Sequence, residues 1–236
     1  MRAKLAIEAF ATFFLCLACL MTSGSAAPLM VAATLCALVY MGGAVSGAHY
    51  NPAVSIAILL RGRTDWRTCR GYVAVQFAAA AAAGLLRGLL ADFDPDRAGA
   101  LAAAMSTSAF EGFLAVAVAE TLGTCLLAFV VLMVATSRLT AGNGYHGLAV
   151  ALTVLGVAGM FSFVQPDLNP AVTFAQQCVQ GPASALVSEQ SVLADLGREW
   201  AFLAKVFPRV LAQFACQLLG AALAAGLFLR VFPEDR

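Results

Sequence analysis

Charge is the scarcest property of this 236-residue chain: 11% of its residues are Asp, Glu, Lys or Arg, too few to clothe a water-facing domain of this length. Histidine is scarcer still. The two copies, His49 and His146, leave no nucleophile, base and orienter set and no metal-ligand cluster, so the chain is read as a non-enzyme without cofactor or metal. Basic residues hardly exceed acidic ones; a net charge of +1 provides no stripe to neutralise phosphates, which excludes nucleic acid as a partner. The seven cysteines are an odd number, and Cys16, Cys19, Cys36, Cys125 and Cys216 fall in apolar stretches, where they serve as small hydrophobes rather than as a disulfide framework.

What is abundant is apolar surface, at 61% of residues. It recurs in nearly uncharged runs of roughly 18 to 25 residues, long enough to cross ~30 Å of hydrocarbon as helices. Six such spans are read over residues 5–22, 28–47, 71–91, 112–136, 147–164 and 207–232. Arg2 and Lys4 before an apolar stretch, with Ser25-Ala26-Ala27 downstream, also fit a cleavable leader, but Glu8 interrupts that stretch and the first helix is read as retained.

The second half of the chain echoes the first. Glu8 with Thr12 matches Glu120 with Thr124, Asn51-Pro52-Ala53-Val54 matches Asn169-Pro170-Ala171-Val172, and Gln76-Phe77-Ala78 matches Gln213-Phe214-Ala215. Three spans per half is an odd number, so the halves, about 1–91 and 110–236 of a single domain, enter the membrane from opposite sides as an inverted repeat. The second half carries an extra polar loop near residues 180–205. Basic residues gather on one face (Arg2, Lys4, Arg61, Arg63, Arg67, Arg70, Arg138, Arg230, Arg236), which places both termini in the cytoplasm; Arg87, Arg97, Arg198, Lys205 and Arg209 fall on the other.

Two apolar segments are too short to span. Pro52 to Leu60 covers about half the hydrocarbon at ~1.5 Å per residue, and the segment after Pro170 reads alike. Irregular backbone at membrane depth is tolerated only inside protein or along a wet cavity, so the stretches before each Asn-Pro-Ala are cavity candidates. Gly42, Gly43 and Gly47 loosen the first approach and Pro166 breaks the second. Asn51 and Asn169 each suit an N-cap, with Pro52 and Pro170 at the following position and Ala53 and Ala171 letting the ends approach. With the cap oxygen occupied, each amide NH₂ is free to donate to a solute oxygen, while two positive helix ends oppose cations and protons. The carbonyls of residues 47–50 and 164–168 form an acceptor rail.

Ser46-Gly47-Ala48-His49-Tyr50-Asn51-Pro52-Ala53-Val54-Ser55 resembles the signature of the aquaporin and glycerol-facilitator family, and the similarity spans nearly the whole chain. The resemblance implies an all-α membrane channel with six transmembrane helices and two half-helices, assembled as a homotetramer in the lipid bilayer. It also implies that Glu8 and Glu120 hold the pore loops through backbone N–H groups. His49 is read as a loop brace and His146 as a solvated loop residue. Counting from the motifs as the family does, the selectivity filter falls at Val31, Val157, Pro166 and Val172. Val172 stands where relatives place Arg, and Asp167 where they place a small residue; Asp167 is expected either to be solvated, to draw cations, or to pair with Arg198 or Arg209. An apolar, uncharged filter implies a wide pore for water, glycerol, urea and neutral metalloid acids. The alternatives are a strict water channel and, behind it, a secondary transporter.

Overall fold

The computed structural model describes residues 1–90, 112–180 and 192–235, and every regular element among them is helical. α1 (Arg2–Met21) and α2 (Ala27–Ser46) lead to a half-helix, α3 (Pro52–Leu60), and then α4 (Trp66–Leu89). The second half runs α5 (Phe113–Val131), α6 (His146–Met160), the short α7 (Pro170–Phe174) and α8 (Val192–Val231). α5 is prolonged by a π-helical turn over Leu132–Thr136 and α7 by another over Ala175–Gln180. Arg97 lies outside the described residues, as do residues 181–191 of the expected polar loop at 180–205; the part from Val192 onward has helical backbone continuous with the last span.

Among the described residues five helices are long and apolar enough to cross a bilayer: Arg2–Met21, Ala27–Ser46, Trp66–Leu89, Phe113–Thr136 and Val206–Val231. The sixth differs from the span expected at 147–164. α6 stops at Met160 after 15 residues, about 22 Å of helix, and Phe161–Val164 form turns instead. Composition hides this end, because Phe161, Phe163 and Val164 are as apolar as the helix before them.

Packing repeats between the halves. α1 lies against α2 and α4, α5 against α6 and α8, and each half-helix packs on the last long helix of both halves. α2 and α6 close the ring against each other. Small residues permit the tightest of these approaches: a Cβ on Gly220 of α8 would sit 2.9 Å from the backbone N of Cys125 on α5. The apolar side chains are distributed for lipid rather than water, with Leu114 77% and Phe163 74% exposed, while Glu8, Gln76, Glu120 and Gln217 are fully buried.

Both approach loops differ from the sequence expectation. Gly42 and Gly43 do not loosen the first approach, since α2 stays helical to Ser46; Gly42 is small because the Tyr50 hydroxyl occupies the place of its side chain. Gly47 ends the helix in the left-handed region at φ 89°, where glycine is the favoured residue. At the second approach the chain leaves α6 five residues before Pro166, so the proline does not set the break.

Candidate functional site

Both Asn-Pro-Ala motifs open a helix in the manner their residue types dictate. Asn51 Oδ1 accepts from the backbone N–H of Ala53 (2.8 Å) and Val54 (3.4 Å), and Asn169 Oδ1 accepts from Ala171 N–H (3.0 Å). Pro52 and Pro170 take the first helical position, where no partner for an N–H exists.

The two helix starts meet. Asn51 Nδ2 donates to the carbonyl of Leu168 (2.8 Å), and Asn169 Nδ2 donates to the carbonyl of Tyr50 (3.0 Å). Each amide thus spends one proton on the opposite loop and retains one for the space beside it. To aim these carbonyls the backbone takes an unusual shape. Among the described residues the non-glycine positions with positive φ are Ala48 and Tyr50 in the first loop and Gln165 and Leu168 in the second, a conformation costing on the order of 1–3 kcal/mol each that persists only where the surroundings impose it.

Two buried carboxylates hold Tyr50 and Leu168 in it. Glu8 accepts from the backbone N–H of His49 (3.0 Å) and Tyr50 (2.8 Å), from Ser46 Oγ (2.7 Å) and from Gln76 Nε2 (2.9 Å). Glu120 accepts from the backbone N–H of Asp167 and Leu168 (2.9 Å each) and from the side-chain amides of Gln213 (2.6 Å) and Gln217 (3.0 Å). Four donors apiece satisfy groups that would otherwise be costly at this depth.

The repeat reaches further than its sequence echo, with one shift of register. Gln76 bridges Glu8 to Ser55 Oγ (3.1 Å), and the residue that bridges Glu120 to Thr173 Oγ1 (2.9 Å) is Gln217, not Gln213. Ser55 and Thr173 each stand four residues after the motif asparagine, a pairing of hydroxyls visible in the sequence but not singled out there. Gln213, one turn earlier, serves Asp167 instead (3.2 Å).

His49 lies against Ser55 Oγ (Nδ1 at 3.1 Å) and edge-on to Tyr72, with ring centroids 4.8 Å apart. Asp167 occupies the matching place in the other loop, its Oδ2 accepting from Thr173 Oγ1 (2.7 Å) and Gln213 Nε2. The carboxylate is therefore neither simply solvated nor paired with Arg209; the side chain of Arg198 lies outside the described residues. His146 opens α6 and stacks edge-on with Tyr40, at 5.2 Å between centroids.

A narrow cavity of about 50 Å³ runs beside the junction, walled by Asn51, Asn169, His49 and Asp167 among apolar side chains from α1, α2, α5 and α6. On its far side His49 also borders a wider, polar vestibule of about 430 Å³ that includes Lys4, Arg63, Thr68 and Tyr72. Of the four expected filter positions, Val31 and Val172 lie in the cavity wall. Val157 does not: it is 1% exposed and packs where a side chain on Gly123 would be, and Val154, one turn earlier, faces the cavity in its stead. Asp167 rather than Pro166 contributes the loop's share of the wall. α6 ends at Met160, so a count back from Asn169 crosses turns rather than continuous helix.

An all-helical fold of apolar exterior, with two half-helices meeting start to start beside a narrow cavity, defines a class of integral membrane protein. A family model described as Major intrinsic protein matches residues 2–187, and the chain belongs to that family. It is 36% identical over 148 residues to a probable aquaporin, AqpM, of Archaeoglobus fulgidus, covering 61% of this chain and 58% of that one. To aquaporin NIP1-1 of Zea mays it is 33% identical over 153 residues, 63% of this chain and 51% of the relative. A shorter match, 46% over 63 residues, links it to aquaglyceroporin AqpS of Rhizobium meliloti, with 27% of each chain covered. The chain thus spans between about half and three-fifths of the length of the first two relatives. The solved aquaglyceroporin of Plasmodium falciparum shares the fold, with a TM-score of 0.67 at 18% identity over 98% of this chain and 97% of that one.

Proposed function

We propose that the protein is a passive channel carrying water and small uncharged solutes along the cavity beside the Asn51–Asn169 junction. The observation that carries this reading is the reciprocal pair of amide-to-carbonyl bonds, because it leaves one proton of each asparagine turned toward a cavity and nowhere else to be used. A solute oxygen accepts from those protons while its own protons pass along loop carbonyls. Two helix N-termini converging at the same point raise the energy of a cation there.

Val31, Val154 and Val172 wall the cavity with apolar side chains and no charge, a lining that suits glycerol, urea or a neutral trihydroxy acid better than a strict water filter. Relatives named aquaglyceroporin agree with this choice. The halves act as an inverted repeat, and both ends of the chain face the cytoplasm. In support, Lys4, Arg61, Arg63 and Arg138 all gather at the vestibule end. The exposed apolar flanks of α1 and α2 are suited to lipid and to neighbouring subunits of a homotetramer.

Stopped-flow light scattering on proteoliposomes tests the reading. Water, glycerol and urea should all cross faster than in empty vesicles, without saturating. Saturable, gradient-coupled uptake would favour a transporter, and water flux alone a strict water channel.

A further inference from the structure

We propose that Asp167 determines the solute specificity of this pore, its carboxyl group receiving the hydrogen-bond donors of neutral polyhydroxy or amide solutes. The proposal rests on the channel reading above and names the solute class of the same site.

The geometry begins with what Asp167 has already committed. Both protein donors, Thr173 Oγ1 at 2.7 Å and Gln213 Nε2 at 3.2 Å, fall on Oδ2. Among the described residues no donor meets Oδ1, and the residue stands in the wall of the cavity. Oδ1 is therefore available to whatever occupies that space. The anchoring is firm, since Thr173 has a single proton, whose nearer acceptor is Asp167 Oδ2 rather than the carbonyl of Asn169 at 3.3 Å. Gln217 in turn donates to Thr173 Oγ1, and the Asp167 backbone N–H is held by Glu120. Carboxyl group and loop are fixed from both sides.

The rest of the wall explains why an acceptor there matters. Asn51 and Asn169 turn donors to the cavity, while Val31, Val154 and Val172 offer nothing polar. A solute entering this space sheds water, and a donor left unmatched is penalised more than a matched one is rewarded. Water carries two protons and finds acceptors easily among loop carbonyls. Glycerol, urea or a trihydroxy acid carries three or four, and Asp167 Oδ1 receives the additional one. The wall thus pairs two amide donors with one carboxyl acceptor, a pattern complementary to compact molecules bearing both.

The decisive variant is Asp167→Asn. Because both partners of Oδ2 are donors, the asparagine keeps its carbonyl oxygen toward Thr173 and Gln213 and turns its NH₂ into the cavity, reversing the hydrogen-bond polarity at that point with little change of shape. The readout is the ratio of glycerol to water permeability, measured in the same proteoliposomes so that differences in the amount of folded channel cancel. The ratio should fall about tenfold, and the urea-to-water ratio should fall in the same direction. Asp167→Ser, which keeps a small hydroxyl without the carboxyl group, should lower both ratios as well. Ratios unchanged in both variants would overturn the assignment while leaving the channel standing. A cation conductance in the wild type that Asp167→Asn abolishes would overturn it too, by making the carboxylate a cation site. Wild-type vesicles no more permeable than empty ones would remove the channel reading itself.

Discussion

At the scale of single residues the protein depends on two buried carboxylates that are fully matched with donors and two amides that each keep one proton for the cavity. Glu8 and Glu120 are tolerable inside lipid because each collects four donors, and those donors include the loop N–H groups that force Tyr50 and Leu168 into a left-handed backbone. The motif asparagines stood out by residue type and repetition, while the loop-holding place of the two glutamates was what the family resemblance implied. The partners of Asp167 were not, since Thr173 lies six residues away and Gln213 forty-six, and only the tertiary fold brings them together. Val157 lies outside the cavity wall, and the count that reached it runs back from Asn169 across the turns that follow the end of α6 at Met160. Val172 did fall in the wall, and it provides a direct prediction. Val172→Arg places a bulky cation in the narrow cavity, so glycerol and urea permeability should drop several-fold more than water permeability. An equal loss for all three would place residue 172 away from the selective point.

At the scale of elements, hydropathy located the long helices and Pro52–Leu60 to the residue, because proline after asparagine marks a start that few other pairs mark. It could not place the end of α6, where apolar residues continue through the turn, nor the match between Gln76 and Gln217, where an echo one turn away misleads. Close packing of α5 on α8 was likewise invisible in composition. Gly220→Val tests it: the added side chain meets the backbone of Thr121 and Cys125, which cannot yield as a flexible side chain would. Overpacking of this kind costs about 1–3 kcal/mol, and the variant should melt at a lower temperature in detergent. Gly226→Val, at a position with open space around it, should melt close to the wild type.

At the scale of the whole molecule, an acidic residue near the end of the chain ties the vestibule side together. Asp235 meets Arg61 (3.3 Å) at the end of α3, Arg63 (3.2 Å) after it and the backbone N–H of Arg138 (3.2 Å) beyond α5. The Arg61 guanidinium, wholly buried, also lies 4.3 Å from the centre of the Phe228 ring on α8. The hydroxyl of Ser137, the Arg138 N–H and the nearby guanidinium groups hold the Asp235 carboxyl below its ordinary range. A carboxylate with a depressed folded-state value stabilises the fold above the ordinary aspartate range, and that contribution is lost as pH falls through the lowered value. Asp235→Asn should therefore lower the melting temperature at neutral pH, and the two melting curves should converge on acidification below about pH 4. A gap that persists unchanged into acid would assign the effect to something other than the charge.

In a channel of this build solute travels through the cavity at the Asn51–Asn169 junction rather than along the helix exterior or through lipid. Cys19 tests this directly, because it is the cysteine in that cavity's wall. Glycerol flux through wild-type proteoliposomes should be blocked by mercuric chloride and restored by excess thiol, while Cys19→Ser should conduct undiminished in its presence. A Cys19→Ser channel that mercury blocks as fully as the wild type would contradict the assigned path.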